Sequence, residues 1–350
     1  TPGASDLVMD VTEPWVQGGL AVDHRGSRFS GLWTVQGDVE FNSLLGADQL
    51  GATLTLSPDS FDEQIAGQAR YRRVIGDDGL IGSMIVTVTH GNPGSTLAKF
   101  DVLTDSWAVG PRLTYPLIRT RAETLLLDGG LTVQDARVNF SAVGVSQSHD
   151  QWRVFDMGAS YQRTGLIDNG SVWTTTVDVA QGLPILGATP NHSPDLSRIG
   201  GLTDFTKITA QSHLSLPLIG AFGASLTAQG QYSFAPLITG EQVTFGGSGI
   251  GRGYDPGAIT GDHGIGGSAE FRYDWRVPSN AILQVLEPYV YIDAARTWYI
   301  QRGPARSASL QDNSIASVGG GLRYWFPYNV VLDTEAARTL EAVPGSDGGK

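Results

Sequence analysis

The sequence predicts an all-β protein, a transmembrane antiparallel β-barrel. Three observations predict it: hydrophobicity alternates residue by residue over most of the chain, short and long connections alternate, and 46 glycines spread through 350 residues without a compositionally distinct linker. Strand side chains point alternately to opposite faces, so a period of two separates an apolar from a polar face.

Residues 224–234 show the pattern most cleanly. Ala224, Leu226, Ala228, Gly230, Tyr232 and Phe234 share one face; Ser225, Thr227, Gln229, Gln231 and Ser233 share the other. Residues 265–277 repeat it, with Ile265, Gly267, Ala269, Phe271, Tyr273, Trp275 and Val277 opposite Gly266, Ser268, Glu270, Arg272, Asp274 and Arg276. Comparable segments run at 15–25, 31–42, 48–57, 63–75, 80–90, 104–119, 121–137, 150–164, 170–182, 203–219, 282–299, 314–328 and 329–343, which makes roughly fifteen strands in all. Tight connections such as 76–79 and 168–170 alternate with long ones at 184–202 and 235–262, as in up-and-down membrane barrels. A soluble β-sandwich or β-helix also alternates. It does not require so many long strands, nor aromatics near strand ends such as Trp33, Trp107, Trp173, Trp298 and Trp325. Charges such as Glu270 and Arg272 cost little facing water and much inside a sandwich core.

The remaining composition excludes several function classes. Lys and Arg number 23 against 35 Asp and Glu, a formal charge of -12, which argues against a nucleic-acid partner. With no cysteine there are no disulfides, thiolate metal sites or Cys nucleophiles. No apolar run is long enough for a spanning helix. The first residues carry no signal-peptide pattern, so a leader is expected to be removed or to lie outside the sequence.

Few motifs point to chemistry. Gly249, Gly251 and Gly253 miss the spacing of a phosphate-binding glycine loop. His24, His90, His149, His192, His213 and His263 are scattered without metal-ligand spacing, so no metal, cofactor or small-molecule substrate is expected. His213 with Ser212 and Ser215 is the single weak candidate for a barrel hydrolase.

The glycine-rich stretch 242–264, QVTFGGSGIGRGYDPGAITGDHG, followed by a strand holding Glu270, is more specific. Its core, Arg252-Gly253-Tyr254 and then Gly261-Asp262-His263-Gly264, resembles the signature of the two-partner secretion outer-membrane translocators (TpsB), the hemolysin secretion/activation family ShlB/FhaC/HecB of the Omp85 superfamily. The resemblance extends through 14–31 as a first barrel strand and turn, and through 113–119, 289–293 and 320–324. Residues 1–13 resemble the end of a POTRA domain, leaving 14–350 as the barrel domain with a pore-folded loop at 235–262.

The resemblance implies a sixteen-stranded barrel in the outer membrane of a Gram-negative bacterium, embedded in membrane lipid. It implies a non-enzymatic pore exporting a secreted exoprotein (TpsA-like) in extended form without nucleotide hydrolysis. The pore-loop motif would be Arg252, Gly253, Tyr254, Gly261, Asp262 and Gly264, and its wall partners Asp293, Tyr291 and Glu270. A bidentate contact from Arg252 to Asp293 is expected. Alternation independently sends Glu287, Tyr289, Tyr291 and Asp293 to one face. Arg272, Asp274, Arg276 and Glu287 are expected to face the lumen and to offer weak contacts to a threading chain. Two departures stand out: Gly251 where the family has Val, and Ala295 where it has Gly. The segment after 343 lacks the aromatic-ended last strand, so truncation of that strand is expected. An Omp85-type assembly factor and a passive porin are the alternatives.

Overall fold

A computed structural model describes residues 14–140, 142, 145–167, 170–278, 282–300 and 312–342. The expected POTRA end at 1–13 and the segment after 342 lie outside the described residues, as do Asp168 and Asn169 of one expected turn.

Among the described residues eighteen strands form: β1 (Val16–Asp23), β2 (Thr34–Asn42), β3 (Asp48–Leu56), β4 (Ile65–Ile75), β5 (Leu80–Gly91), β6 (Val102–Arg119), β7 (Glu123–Phe140), β8 (Val145–Thr164), β9 (Val172–Gly182), β10 (Thr206–Pro217), β11 (Phe222–Ser233), β12 (Val243–Phe245), β13 (Ile259–Gly261), β14 (His263–Tyr273), β15 (Trp275–Arg276), β16 (Val285–Trp298), β17 (Asn313–Trp325) and β18 (Val331–Thr339). One sheet follows chain order through β11 and then β14, β16, β17 and β18. Every neighbouring pair is antiparallel, as in the β11–β14 and β14–β16 ladders. β15 continues β14 beyond Asp274, against β16, so the segment expected at 265–277 is one strand with a single interruption. β12 and β13 pair only with each other, inside the long connection 234–262.

Connections 43–47, 76–79, 120–122, 218–221 and 326–330 lie at one end of the sheet; 24–33, 57–64, 92–101, 183–205 and 234–262 lie at the other. This is the short-turn, long-loop asymmetry of outer-membrane barrels. Leu54, Val88, Leu113, Met157, Ile265, Val290 and Ile292 are exposed on the outward face. A face this apolar would be an aggregation hazard in water and is matched by the acyl interior of a bilayer. The inward positions of β16 alternate with it: Glu287, Tyr289, Tyr291, Asp293, Ala295 and Thr297 are buried.

The ends of the sheet meet around this interior. Arg25, just after β1, lies 3.4 Å from both Asp333 and Glu335 of β18. β7 and β8 run further than the sequence pattern indicates, to Phe140 and from Val145, across a register shift between Val138 and Asn139. The apolar alternation stops there because Asp135, Arg137, His149 and Gln151 hold the outward positions. Two apolar clusters position the long loops. One packs Trp152, Val154, Leu196, Phe205, Leu237 and Ile238 at the long-loop rim. The other packs Val243, Phe245, Ile250, Tyr254 and Ile259 of the loop onto Ala295 and Ile315 of the wall.

Candidate functional site

The connection between β11 and β14 begins at 234, follows the rim, and enters the interior as the β12–β13 hairpin, whose tip lies against β14, β16, β17 and β18. Glycine is required at the tip. Gly251 has φ +93°, and a side chain there would strike Ile315 Cδ1, which accounts for a glycine in the position expected to be Val. A Cβ on Gly253 would come within 2.9 Å of Ser317 Cβ, so the loop backbone rests directly on the wall.

Arg252 is one-tenth exposed and meets several partners at once. Nη1 lies 2.9 Å from Glu270 and 3.4 Å from Glu335, and Nη2 donates to Ser268 Oγ at 3.3 Å. Its Cζ sits 3.6 Å from the centroid of the Tyr291 ring, close enough for cation–π attraction. The expected bidentate contact with Asp293 is not what forms. Asp293 instead accepts the Arg252 backbone N–H at 3.1 Å, and the guanidinium Nε stays 3.9 Å away. The reason is register: Ser317 sits opposite Asp293 and donates to its carboxylate, while Ser317 Oγ accepts the Gly253 N–H at 3.2 Å. Asp293 and Ser317 thus hold two successive backbone amides, which aims the side chain at Glu270 and Glu335.

The network extends along the wall. Arg323 bonds Glu270 at 2.8 and 3.0 Å and Glu287 at 2.6 Å, and stacks on Tyr289 at 3.9 Å. Glu335 also accepts from the hydroxyls of Tyr289 (2.8 Å) and Tyr291 (3.1 Å). Both tyrosine rings lie on glycines of β17, Tyr291 over Gly319 and Tyr289 over Gly321, where any Cβ would displace them. Fork-shaped, weakly hydrated guanidiniums suit such shared, stacked positions better than ammonium groups would.

The Tyr254 hydroxyl lies 2.9 Å from Ala316 O and 2.7 Å from Glu341 O, and both of those residues' N–H groups also point at it. Asp262 occupies the loop root with no exposed surface. It takes Arg198 Nη1, the Leu237 N–H at 2.8 Å and the Ile300 N–H at 2.7 Å. Arg198 also donates to the carbonyls of Leu237 and Ile300, both at 3.0 Å, so one pair joins three long connections. Gly261 closes β13, and Gly264 lies on β14 beneath Val243 and Phe245.

Glu270 and Glu287 belong to the Arg252 and Arg323 network. Arg272 lies over Gly223 and pairs with Asp274 at 3.7 Å, away from the loop tip. Arg276 is exposed near the short-turn end. Sequence reasoning did not single out Arg198, Glu335, Arg25 or Asp333. Alternation within 329–343 does put Asp333 and Glu335 on one face, whereas nothing local marks Arg198 in a long loop. The hydrolase candidates do not assemble. Ser212 faces outward and accepts Trp173 Nε1–H at 2.9 Å, while the His213 ring is bonded to Thr227 Oγ1 at 3.0 Å.

Fold and site together define an outer-membrane β-barrel with a long loop seated on its inner wall. The chain belongs to the haemolysin secretion/activation protein family ShlB/FhaC/HecB, whose sequence profile matches residues 3–324. This places it in the outer membrane of a Gram-negative bacterium. Among solved structures it is similar to CdiB from Escherichia coli (TM-score 0.78, 18% identity, 97% of this chain and 61% of that one). It is also similar to CdiB from Acinetobacter baumannii (0.69, 16%, 96% and 58%). A third is BamA from Haemophilus ducreyi lacking POTRA domains 1-3 (0.65, 13%, 97% and 69%). At these identities the likeness is one of fold. The chain spans less than two thirds of the length of the two CdiB chains. No curated relative matches the sequence.

Proposed function

We propose that the chain is the pore of an outer-membrane translocator that passes a secreted partner polypeptide through its lumen in extended form, without nucleotide hydrolysis. The observation that carries this reading is the loop tip seated on the inner wall by Arg252, a plug whose contacts can be exchanged. Surface ion pairs contribute roughly 0–1 kcal/mol each, and fully buried ones cost much more to break. The tip network lies between these limits, so displacement of the tip without unfolding of the barrel is within reach.

The inner wall supports a revised view of where a threading chain makes contact. The inward charges Glu270, Glu287 and Arg272 are already paired. The inward face of β8–β11, besides Asp156 and Lys207, which are paired, and Asp178, presents a run of uncharged groups, among them Gln162, Thr174, Thr176, Gln211, Thr227 and Gln229. Such groups can bond a passing backbone briefly and release it, as conduction demands. The BamA-like fold alone does not separate export from assembly of other barrels; the secretion family favours export.

Replacing Arg252 by Ala tests the reading. The variant should insert as a folded barrel, judged by heat-modifiable gel mobility, and lose at least about tenfold in export, the equivalent of 1.4 kcal/mol. Undiminished export would remove the role assigned to the loop.

A further inference from the structure

We propose a binding site for a phosphoethanolamine headgroup on the outward face of the barrel, near the long-loop end. There a recess of about 530 Å³ opens between β4 and β7, with Ile65, Val88 and Trp107 on its apolar side and Asp105, Asp135 and Arg137 on its polar side. Val88 and Trp107 continue the exposed apolar belt, and His90 and Asp105, two residues further towards the long loops, begin the polar zone. The recess therefore straddles the level at which a lipid's acyl chain gives way to its headgroup.

Its polar groups are only partly used by the protein. Asp135, almost completely buried, holds the cluster. It accepts from Gln151 Nε2 at 2.8 Å, contacts His149 Nε2 at 3.0 Å and lies 3.4 Å from Arg137 Nε. Arg137 Nε also donates to His149 at 3.1 Å. The guanidinium is thus fixed through Nε alone, and its two terminal nitrogens have no partner among the described residues. Asp105 is the direct cross-strand partner of Arg137, yet the two do not pair. One Asp105 oxygen bonds His90 Nδ1 at 2.7 Å and the other has no partner among the described residues.

A free cationic fork and a free carboxylate oxygen therefore face one recess from cross-strand neighbours, which sit about 5 Å apart. A phosphate joined to an ammonium through two carbons matches that arrangement. The phosphate would take the parallel N–H groups of Arg137, and the ammonium would donate to Asp105. A purely anionic headgroup would meet Asp105 and Asp135 as repulsive neighbours, and a quaternary ammonium would have no N–H to give.

The test is native mass spectrometry of the full chain, released from detergent after equilibration with defined lipids. Phosphatidylethanolamine should be retained about tenfold over phosphatidylglycerol and above phosphatidylcholine, as expected for one charge-assisted contact. R137Q and D105N should each abolish the preference while keeping heat-modifiable mobility. Lipopolysaccharide with and without phosphoethanolamine substitution forms the second arm; retention that follows the substituent supports the site with a glycolipid as its source. Equal retention of all headgroups, or an unchanged preference in both variants, overturns the proposal.

Discussion

The root and the tip of the inner loop are held by opposite strategies. At the root, one carboxylate, Asp262, meets one guanidinium, Arg198, and both are sealed from solvent, with the Leu237 and Ile300 backbones bonding both partners. At the tip, the Arg252 guanidinium is divided among Glu270, Glu335 and a tyrosine face, and each of those carboxylates has a second arginine within reach. Removing one member of a sealed pair strands a charge, whereas a shared charge can be handed on. The difference defines a pivot: the root stays while the tip exchanges partners.

The comparison is broken most severely at the root. Asp262→Ala should strand Arg198 and the Leu237 and Ile300 amides, at about 3–5 kcal/mol. The expected outcome is rapid protease cleavage in 183–205 and around Leu237 and a reduced folded fraction; wild-type resistance would show the root to be dispensable. Arg252→Ala should leave those connections as protected as in the wild type while abolishing export, so proteolysis and export separate the two anchors. Glu335→Gln comes next. It keeps an acceptor for the tyrosine hydroxyls but removes the charge shared by Arg252 and Arg25, so the tip should loosen by about 1 kcal/mol. A spin label at Ser248 should report a broader distance distribution to β5, with no change at the root. Ser317→Ala should be smallest, about 0.5–1.5 kcal/mol, because one bridging hydroxyl is lost. Its signature is faster exchange of the Gly253 amide alone.

The strands were legible because a bilayer-facing wall enforces alternation at every second residue, as in β11 and β14. The pattern failed where that requirement ends, at the tops of β7 and β8, where Arg137 and His149 stand outward above the apolar belt. At the site, the resemblance directed attention to Arg252 and Asp293, but which atoms of Arg252 meet Asp293 depends on the β16–β17 register that places Ser317 opposite it. No local pattern encodes that register. Arg198 was invisible for a related reason: its importance arises from three connections converging in space, and its neighbours Ser197 and Ile199 carry no periodic signal.

Tyr254 has a consequence for how motion in the lumen could be felt by the wall. Its phenolic oxygen bridges Ala316 and Glu341 at the end of the β17–β18 ladder, just beyond the last backbone bond from Leu340 N–H to Ala316 O. Extraction of the loop would strip that rung and leave the Glu341 amide looking for a new acceptor, so the outermost staves of the barrel would register whether the plug is seated.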